Sequence, residues 1–271
     1  MPGVPFFPQQ QYYCGPAALA MVLAWSGLPV NQADLVPVVY TPGRQGTLQE
    51  DIVAAARRFG RLAVPTGDLR ALLGEIAAGH PVLVFQNLGL DWYPVWHYAV
   101  AVGYDLKQGD LILHSGEESE DRLSLRTFEL TWARGGHWAL TVLPADRLPA
   151  TADPQALLAA AVGLERAGRV PEAATAYTSI AGRWPDDFAA WFGLANAHYQ
   201  QGFYTEAVQD YRRALALDPK APQAWNNLAY ALKGQGRRQE AIAAAQTAVD
   251  LAATNATYRD TLTEMVGSKT P

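Results

Sequence analysis

A repeat with a period of 34 residues constrains the second half of this 271-residue chain more than any other feature. Glycines, alanines, tryptophans, leucines and prolines recur at this spacing: Gly168, Gly202 and Gly236; Ala173, Ala207 and Ala241; Trp191 and Trp225; Leu194 and Leu228; Pro185 and Pro219. Small residues let helices approach closely, and the larger ones fill the gaps between them. The pattern predicts two antiparallel helices per unit, stacked into a solenoid.

This period is that of the tetratricopeptide repeat. Three units and a capping helix fit the sequence, at about 154–187, 188–221, 222–255 and 256–265. The third unit matches least, because Leu232 stands where the pattern usually has an aromatic residue and Ala253 where it has proline. So many matches at one period make coincidence an untenable explanation.

The concave face of such a solenoid is lined by the first helix of each unit and is where partners bind. The register places six residues there: Phe192, Asn196, Tyr199, Asn226, Tyr230 and Lys233. Asparagine can hydrogen-bond an extended peptide backbone, and aromatic side chains supply apolar anchors. We therefore expect a peptide-binding or protein-binding surface; the alternative is the ordinary surface of a short spacer.

Residues 1–150 have the pattern of an α+β domain, with helices packed on an antiparallel sheet. The predicted helices cover 16–25, 31–35, 47–56 and 69–78, and the predicted strands cover 81–86, 96–105, 110–115 and 138–143. Thr47 and Glu50 have the spacing of a capping box. A short Gly-containing loop between the second and third strands predicts a hairpin. A proline-marked linker then leads into a second domain at 151–271.

Composition excludes several classes of protein. The net charge of −5 and the pI near 5.5 provide no basic surface for nucleic acid. The histidines and the single cysteine lack the spacing of metal ligands, so we expect no metal and no cofactor. No apolar run reaches the length of a membrane span. Oligomeric state cannot be read from the sequence.

The single cysteine, Cys14, stands where the first helix begins. Pro16 suits a first helical position because its missing N–H and fixed φ have no cost there. A thiol at a helix N-terminus faces unpaired N–H groups and the positive end of the macrodipole, which favour the thiolate. A lone cysteine is more often a small buried apolar residue, so the nucleophile hypothesis needs a partner.

His97 supplies that partner. It begins an apolar strand directly after an aromatic turn, so a rigid element holds it near a strand end. Taken alone, it would be interpreted as a half-buried structural histidine; together with Cys14 it predicts a general base. His80 and His137 lie in loops, and His198 lies among the repeats.

Three blocks, VPFFPQ at 4–9, CGPAALA at 14–20 and WHYAVAVGY at 96–104, carry a family resemblance. They resemble the bacteriocin-processing cysteine peptidases, papain-like domains that cut leader peptides after a double glycine. The resemblance covers residues 4 to about 150 and is stronger to stand-alone, C39-like bacterial relatives that carry tetratricopeptide repeats behind the peptidase domain.

The resemblance implies that Cys14 is the nucleophile and His97 the general base. It implies that Gln9 forms the oxyanion hole with the backbone N–H of Cys14. Gln9 stands five residues before the cysteine, where papain-like enzymes usually show six, so Gln10 is a neighbouring candidate.

The third catalytic position departs from the family pattern. The family has an aspartate, usually followed by proline, some sixteen or seventeen residues after the histidine; here that region contains Ser115. A serine can accept a hydrogen bond from the imidazole, but it brings no charge to stabilise an imidazolium. Asp105 and Asp110 flank the hairpin turn and are expected to lie too far away. The serine predicts a slow enzyme, or one that substrate must assemble.

We therefore expect a cysteine peptidase that cleaves a peptide or protein, with the repeats recruiting the substrate. The alternative is a weak or inactive peptidase fold that serves as an interaction scaffold. A third possibility is another acyl transfer, such as deamidation. The resemblance further implies a location in the bacterial cell envelope or periplasm, behind a leader that is not among these residues; a cytoplasmic location stays open.

Overall fold

A computed structural model describes residues 1, 3–10 and 12–267. By its contacts the chain divides into two compact units, one at 1–167 and one from residue 168 onward. The first unit is α+β with an antiparallel sheet, and the second is entirely helical. The predicted fold class, a peptidase-like α+β region followed by a tetratricopeptide solenoid, is confirmed.

The first unit contains six helices and eight strands among its described residues. The helices are α1 Cys14–Trp25, α2 Gln32–Val39, α3 Gln49–Arg58, α4 Leu69–Ala77, α5 Leu125–Arg134 and α6 Pro154–Arg166. The strands are β1 Tyr40–Thr41, β2 Gly46–Thr47, β3 Arg61–Pro65, β4 Val82–Asn87, β5 Trp96–Asp105, β6 Asp110–Ser115, β7 Glu118–Ser124 and β8 Ala139–Pro144. A short 3₁₀ turn, Pro42–Arg44, joins β1 to β2.

The sheet has the order β3-β8-β4-β5-β6-β7, and all its pairings are antiparallel. Side chains alternate along β5, so Val100 packs in the same cluster as α1, whereas Ala99 packs in the cluster of Phe128 and Trp132 from α5. Apolar on nearly all sides, α1 is buried against the sheet. The core therefore holds the start of α1 and the start of β5 on rigid elements.

The predicted hairpin of β5 and β6 is confirmed, but the capping box is wrong. Thr47 belongs to β2, where it pairs with Tyr40, and α3 begins only at Gln49 with no side-chain cap. The sheet also contains β3 and β7, which sequence patterns did not predict. Most side chains of β7 are exposed because it is an edge strand, so it lacks the apolar alternation that reveals a strand.

The second unit consists of paired helices. They are α7 Val170–Arg183, α8 Phe188–Gln200, α9 Tyr204–Leu217, α10 Pro222–Gly234, α11 Arg238–Leu251 and α12 Ala256–Gly267. Gly202 and Gly236 adopt φ values of 79° and 73° just after α8 and α10, a left-handed conformation that explains why glycine recurs there. Within the described residues no helix has both the length and the apolar character needed to cross a membrane.

The helix α6 is the first helix of the first repeat by sequence, yet it belongs to the first compact unit. It packs against β3 and α3, and Gly163 leaves room for the guanidinium of Arg57. The compact units therefore divide after α6, whereas the predicted domain boundary at residue 150 lies before it.

Candidate active site

Local backbone geometry places Cys14 at the start of α1. Tyr12 takes a left-handed φ of 68°, and the N–H of Tyr13 donates to the carbonyl of Gln10 at 3.0 Å. Cys14 follows as the first residue of the helix and is half-buried. The next residue must be glycine, because a Cβ on Gly15 would lie 2.5 Å from the side chain of Thr47. The β1–β2 hairpin can therefore close against the helix N-terminus.

Cys14, His97 and Gln9 line one cleft of about 830 Å³. The walls come from distant parts of the chain: Gln9, Tyr12 and Cys14; Arg44 to Glu50; Phe85; and Val95 to Tyr98. The oxygen Oγ1 of Thr47 is buried in this wall without a hydrogen-bond partner among the described residues. Gln10, the second oxyanion candidate, lines a separate depression. The tertiary structure therefore favours Gln9 over Gln10.

His97 is held at the start of β5 by a neighbouring strand. Its side chain is buried, and Nε2 lies 2.9 Å from Oγ of Ser115 at the end of β6. Because that contact engages Nε2, Nδ1 is the ring nitrogen that remains to accept or donate a proton. Asp105 and Asp110 pair with each other in the register at the opposite end of β5. Ser115 therefore makes the contact with His97 that the sequence analysis expected of it.

Asp121 is a residue that sequence reasoning missed. It lies on β7 opposite Leu113 of β6, and Leu113 lies two positions from Ser115 and on the same face of the strand. Burial lowers the pKa of His97, and the charge of the Asp121 carboxylate opposes that shift. No sequence signal identified it, because β7 itself was not predicted.

Burial dominates the electrostatics of Cys14 and His97. It raises the pKa of the Cys14 thiol, although the backbone N–H groups of Tyr98, Gly15 and Cys14 act in the opposite direction. Burial also lowers the pKa of His97, against the charge of Asp121. Burial therefore acts against the thiolate that the helix N-terminus was expected to favour.

His114, the residue before Ser115, anchors the N-terminal segment that carries Gln9. His114 is buried; its Nε2 lies 3.4 Å from the carbonyl of Val4, and its Nδ1 accepts the N–H of Glu120 at 3.2 Å. The N–H of Gln9 donates to the carbonyl of Gly116 at 3.0 Å. One end of the β6–β7 hairpin thus positions both Gln9 and the partner of His97.

Three of the residues predicted for the concave face of the repeats are engaged within the second unit's packing. Phe192 stacks on Phe188 with centroids 5.6 Å apart. Asn196 accepts hydrogen bonds on Oδ1 from the Tyr211 hydroxyl at 2.6 Å and from the amide of a neighbouring asparagine at 3.0 Å. The ring of Tyr199 lies 5.7 Å from that of Tyr204. These contacts order the face that α8 presents.

The other three residues lie on α10 and differ in accessibility. Asn226 is buried, so it offers less to a partner than its register position predicted. The hydroxyl of Tyr230 donates to Glu264 of α12 at 3.0 Å, and the ammonium group of Lys233 lies 2.7 Å from the same carboxylate. The hydroxyl of Tyr230 and the ammonium group of Lys233, which could otherwise bind a peptide, are therefore bonded to α12.

The fold and the cleft define a papain-like class of domain, with a helix-borne cysteine and a strand-borne histidine. The Peptidase_C39-like family model matches residues 1–139, which is more than half of the chain. The protein therefore belongs to the Peptidase_C39-like family. The tetratricopeptide repeat model matches residues 158–222 and 194–256. Within the described ranges, no group of three or more His, Cys, Asp or Glu side chains could hold a metal ion.

Individual relatives match parts of the chain. Photosystem I assembly protein Ycf3 of Cyanophora paradoxa is 40% identical over 53 residues, which are 20% of this chain and 31% of that protein. The chain thus spans about a third of the curated relative it matches.

Among solved structures, the second tetratricopeptide domain of human RPAP3, in complex with an HSP70 peptide, is 20% identical with a TM-score of 0.41 and covers 43% of this chain and all of that one. MamA of Desulfovibrio magneticus RS-1 is 23% identical with a TM-score of 0.41 over 52% of this chain and 71% of that one.

Proposed function

We propose that this protein is a cysteine peptidase that hydrolyses a peptide or protein substrate at Cys14. A single observation carries the proposal: Cys14, His97 and Gln9, from distant segments, line one cleft in which Ser115 lies 2.9 Å from the imidazole. Nucleophile, base and orienting group are the parts that acyl transfer by a thiol requires.

In the proposed reaction every proton and bond is accounted for. His97 takes the proton from the Cys14 thiol as the sulfur attacks the scissile carbonyl carbon and a C–S bond forms. The backbone N–H of Cys14 and the side-chain amide of Gln9 donate to the oxyanion. The intermediate collapses, the C–N bond breaks, and the leaving amine takes the proton from His97. Water then attacks the thioester carbonyl as His97 takes a proton from it, the C–S bond breaks, and the proton on His97 returns to the Cys14 sulfur as the acid leaves.

The electrostatics of the resting site make the first proton transfer the difficult step. Burial disfavours both the thiolate of Cys14 and the imidazolium of His97. Once they form together, each charge stabilises the other, and the carboxylate of Asp121 favours the imidazolium. A substrate that contributes further polar contacts in the cleft would complete the site.

The repeats are proposed to recruit a peptide or protein partner through their concave face. Support comes from the half-buried aromatic rings of Phe192 and Tyr199 on α8. Recruitment would raise the concentration of substrate near the peptidase unit. A cell-envelope location remains a prediction from the resemblance.

The proposal is tested by incubating the full chain with a proteome-derived peptide library and identifying new termini by mass spectrometry. We expect cleavage by the wild type and a loss of at least about a thousandfold in Cys14→Ala and His97→Ala. His137→Ala is the matched control, because His137 is a half-exposed histidine outside the cleft that pairs with Glu129. Absence of cleavage by the wild type, or equal cleavage by Cys14→Ala, contradicts the proposal.

The second candidate is a binding module that holds a peptide without cutting it. Ser115 in place of a carboxylate, together with the pKa directions of Cys14 and His97, favours this alternative. Iodoacetamide labelling of Cys14 between pH 5 and pH 9 separates the two in the presence of a bound peptide. Fast labelling below neutral pH that His97→Ala abolishes indicates a thiolate–imidazolium pair and supports the peptidase. Labelling that only rises with pH supports the binding module.

A further inference from the structure

An exposed apolar segment borders the candidate active site. Residues 88–96 form a surface that we name the aromatic lip; they connect β4 to β5 and include the first residue of β5. Trp92 is 80% exposed, Tyr93 69% and Trp96 52%. Contiguous exposed apolar side chains of this size mark interaction surfaces in soluble proteins.

Hydrogen bonds hold the aromatic lip in one conformation. The side-chain oxygen of buried Asn87 accepts the N–H of Gly89 at 3.0 Å and that of Val95 at 2.9 Å. Leu90 and Tyr93 exchange backbone hydrogen bonds at 3.0 and 3.1 Å. Gly89 is required at its position, because a Cβ there would meet the carbonyl oxygen of Tyr93. A rigid aromatic surface loses little conformational entropy on binding.

The aromatic lip continues into the cleft. Val95 and Trp96 line the cleft together with Phe85, and the ring of Trp96 stacks on that of Phe85 at 5.2 Å with an interplanar angle of 12°. Trp96 also directly precedes His97. A ligand placed with its reactive bond at Cys14 and His97 therefore meets the lip at Val95 and Trp96, where the lip enters the cleft.

The chemistry of the aromatic lip identifies its ligand. Residues 88–96 contain one charged residue, Asp91, and neither lysine nor arginine. Binding to an anionic lipid surface relies on basic residues next to the aromatic ones, so the lip lacks that attraction. A peptide with only two small residues at the scissile bond would leave the lip uncovered. A large apolar side chain would bury it.

We propose that the aromatic lip binds a large aliphatic or aromatic side chain of an extended peptide, close to the bond positioned at Cys14. The site thereby selects peptides by apolar bulk on one side of that bond. Cleavage of that bond rests on the proposed peptidase function, whereas the binding preference does not.

The test measures binding without cleavage. Cys14→Ala protein is exposed to a random decapeptide library on beads, and the retained peptides are sequenced. The comparison protein adds Trp92→Ser and Tyr93→Ser, two exposed side chains whose loss should leave the thermal unfolding temperature unchanged. The matched control instead adds Leu106→Ser and Leu130→Ser, which are 65% and 57% exposed and lie outside the aromatic lip and the cleft.

We expect large apolar residues to be enriched about tenfold among peptides retained by Cys14→Ala and by the control, and the enrichment to disappear in the lip variant. The proposal is overturned if all three proteins show the same enrichment, if small or charged residues are enriched, or if no peptide is retained. Lip-dependent sedimentation with phosphatidylcholine vesicles, without peptide enrichment, would overturn it in favour of a membrane. Cleavage by the wild type is measured separately. Lip-dependent binding without cleavage would contradict the proposed peptidase function and leave the proposed binding preference standing.

Discussion

The cleft and the repeats use polar side chains in opposite ways. In the cleft, Cys14 and Gln9 line a space large enough for a ligand, and among the described residues the His97 ring contacts the Ser115 hydroxyl. In the repeats, polar groups bond each other across neighbouring helices, as Asn196 does with Tyr211. The difference shows that the α+β unit is built to leave reactive atoms reachable, whereas the repeat unit uses its polar atoms mainly to set helix packing.

The largest effect should come from the charge missing at the third catalytic position. Ser115→Asp places a carboxylate beside His97, favours the imidazolium, and should raise kcat/KM about tenfold; Ser115→Ala should lower it about a hundredfold. The pH profile of Cys14 labelling is the deciding measurement, because a merely structural role for Ser115 would not shift it. Asp121→Asn removes charge at constant shape and should move the profile in the direction of Ser115→Ala.

Unchanged profiles in all three variants would contradict the idea that His97 is tuned by these neighbours. In that case the cleft would resemble the repeats, with hydrogen bonds that serve packing alone.

Glu75 lies in the α+β unit outside the cleft and is a buried polar group engaged in several hydrogen bonds. Its carboxylate accepts from the side chains of His80 and Thr151 and from the backbone N–H groups of Thr151 and Ala150. Burial acts to raise the pKa of Glu75, but these hydrogen bonds outweigh it and lower the pKa. Glu75→Ala removes the acceptor of the buried His80 ring and of the Thr151 hydroxyl and N–H, and should cost about 3 kcal/mol of unfolding free energy.

Urea unfolding measures this cost. Asp68→Ala, which removes only the exposed N-cap of the same helix, should cost about 1 kcal/mol. Equal losses in the two variants would show that the Glu75 cluster contributes no more than a helix cap.

A single interhelical hydrogen bond should matter less in the repeats. Tyr211→Phe removes the 2.6 Å bond between α9 and α8 and should cost about 1 kcal/mol. Thr247→Ala, a surface substitution on α11, should stay within about 0.5 kcal/mol. A loss above 3 kcal/mol for Tyr211→Phe would mean that polar packing in the repeats is as decisive as the buried cluster around Glu75.

The smallest effect should be a pH dependence of the α+β unit. Burial lowers the pKa of both His97 and His114, so the folded state favours their neutral forms. Their contribution to stability is complete above the unfolded-state value of about 6.5 and is lost as pH falls toward the lowered folded-state values. Unfolding followed by tryptophan fluorescence should show a lower stability at pH 5 than at pH 7. The double variant His97→Gln, His114→Gln should show a smaller difference between the two pH values. If the double variant loses as much stability at pH 5 as the wild type, other groups cause the acid sensitivity.

Sequence patterns predicted the repeats almost completely because their contacts are local. The period placed the helix pairs, and Gly202 and Gly236 do adopt the left-handed turn that their recurrence indicated. In the α+β unit the apolar strands were predictable, but β3, β7 and α5 were not, and Thr47 was assigned to a helix cap although it pairs in β2. An exposed edge strand has no apolar alternation to read.

By itself the sequence determined that Cys14 begins a buried helix, that His97 begins a strand, and that tandem helix pairs follow. All three are properties of neighbours along the chain, since propensity and periodicity act over a few residues. Only the tertiary structure decided that Gln9 rather than Gln10 lines the cleft, that burial lowers the pKa of His97 against the charge of Asp121, and that burial outweighs the helix N-terminus at Cys14. Those outcomes depend on which strands pair and how much water they exclude, and neither quantity is written in any single segment.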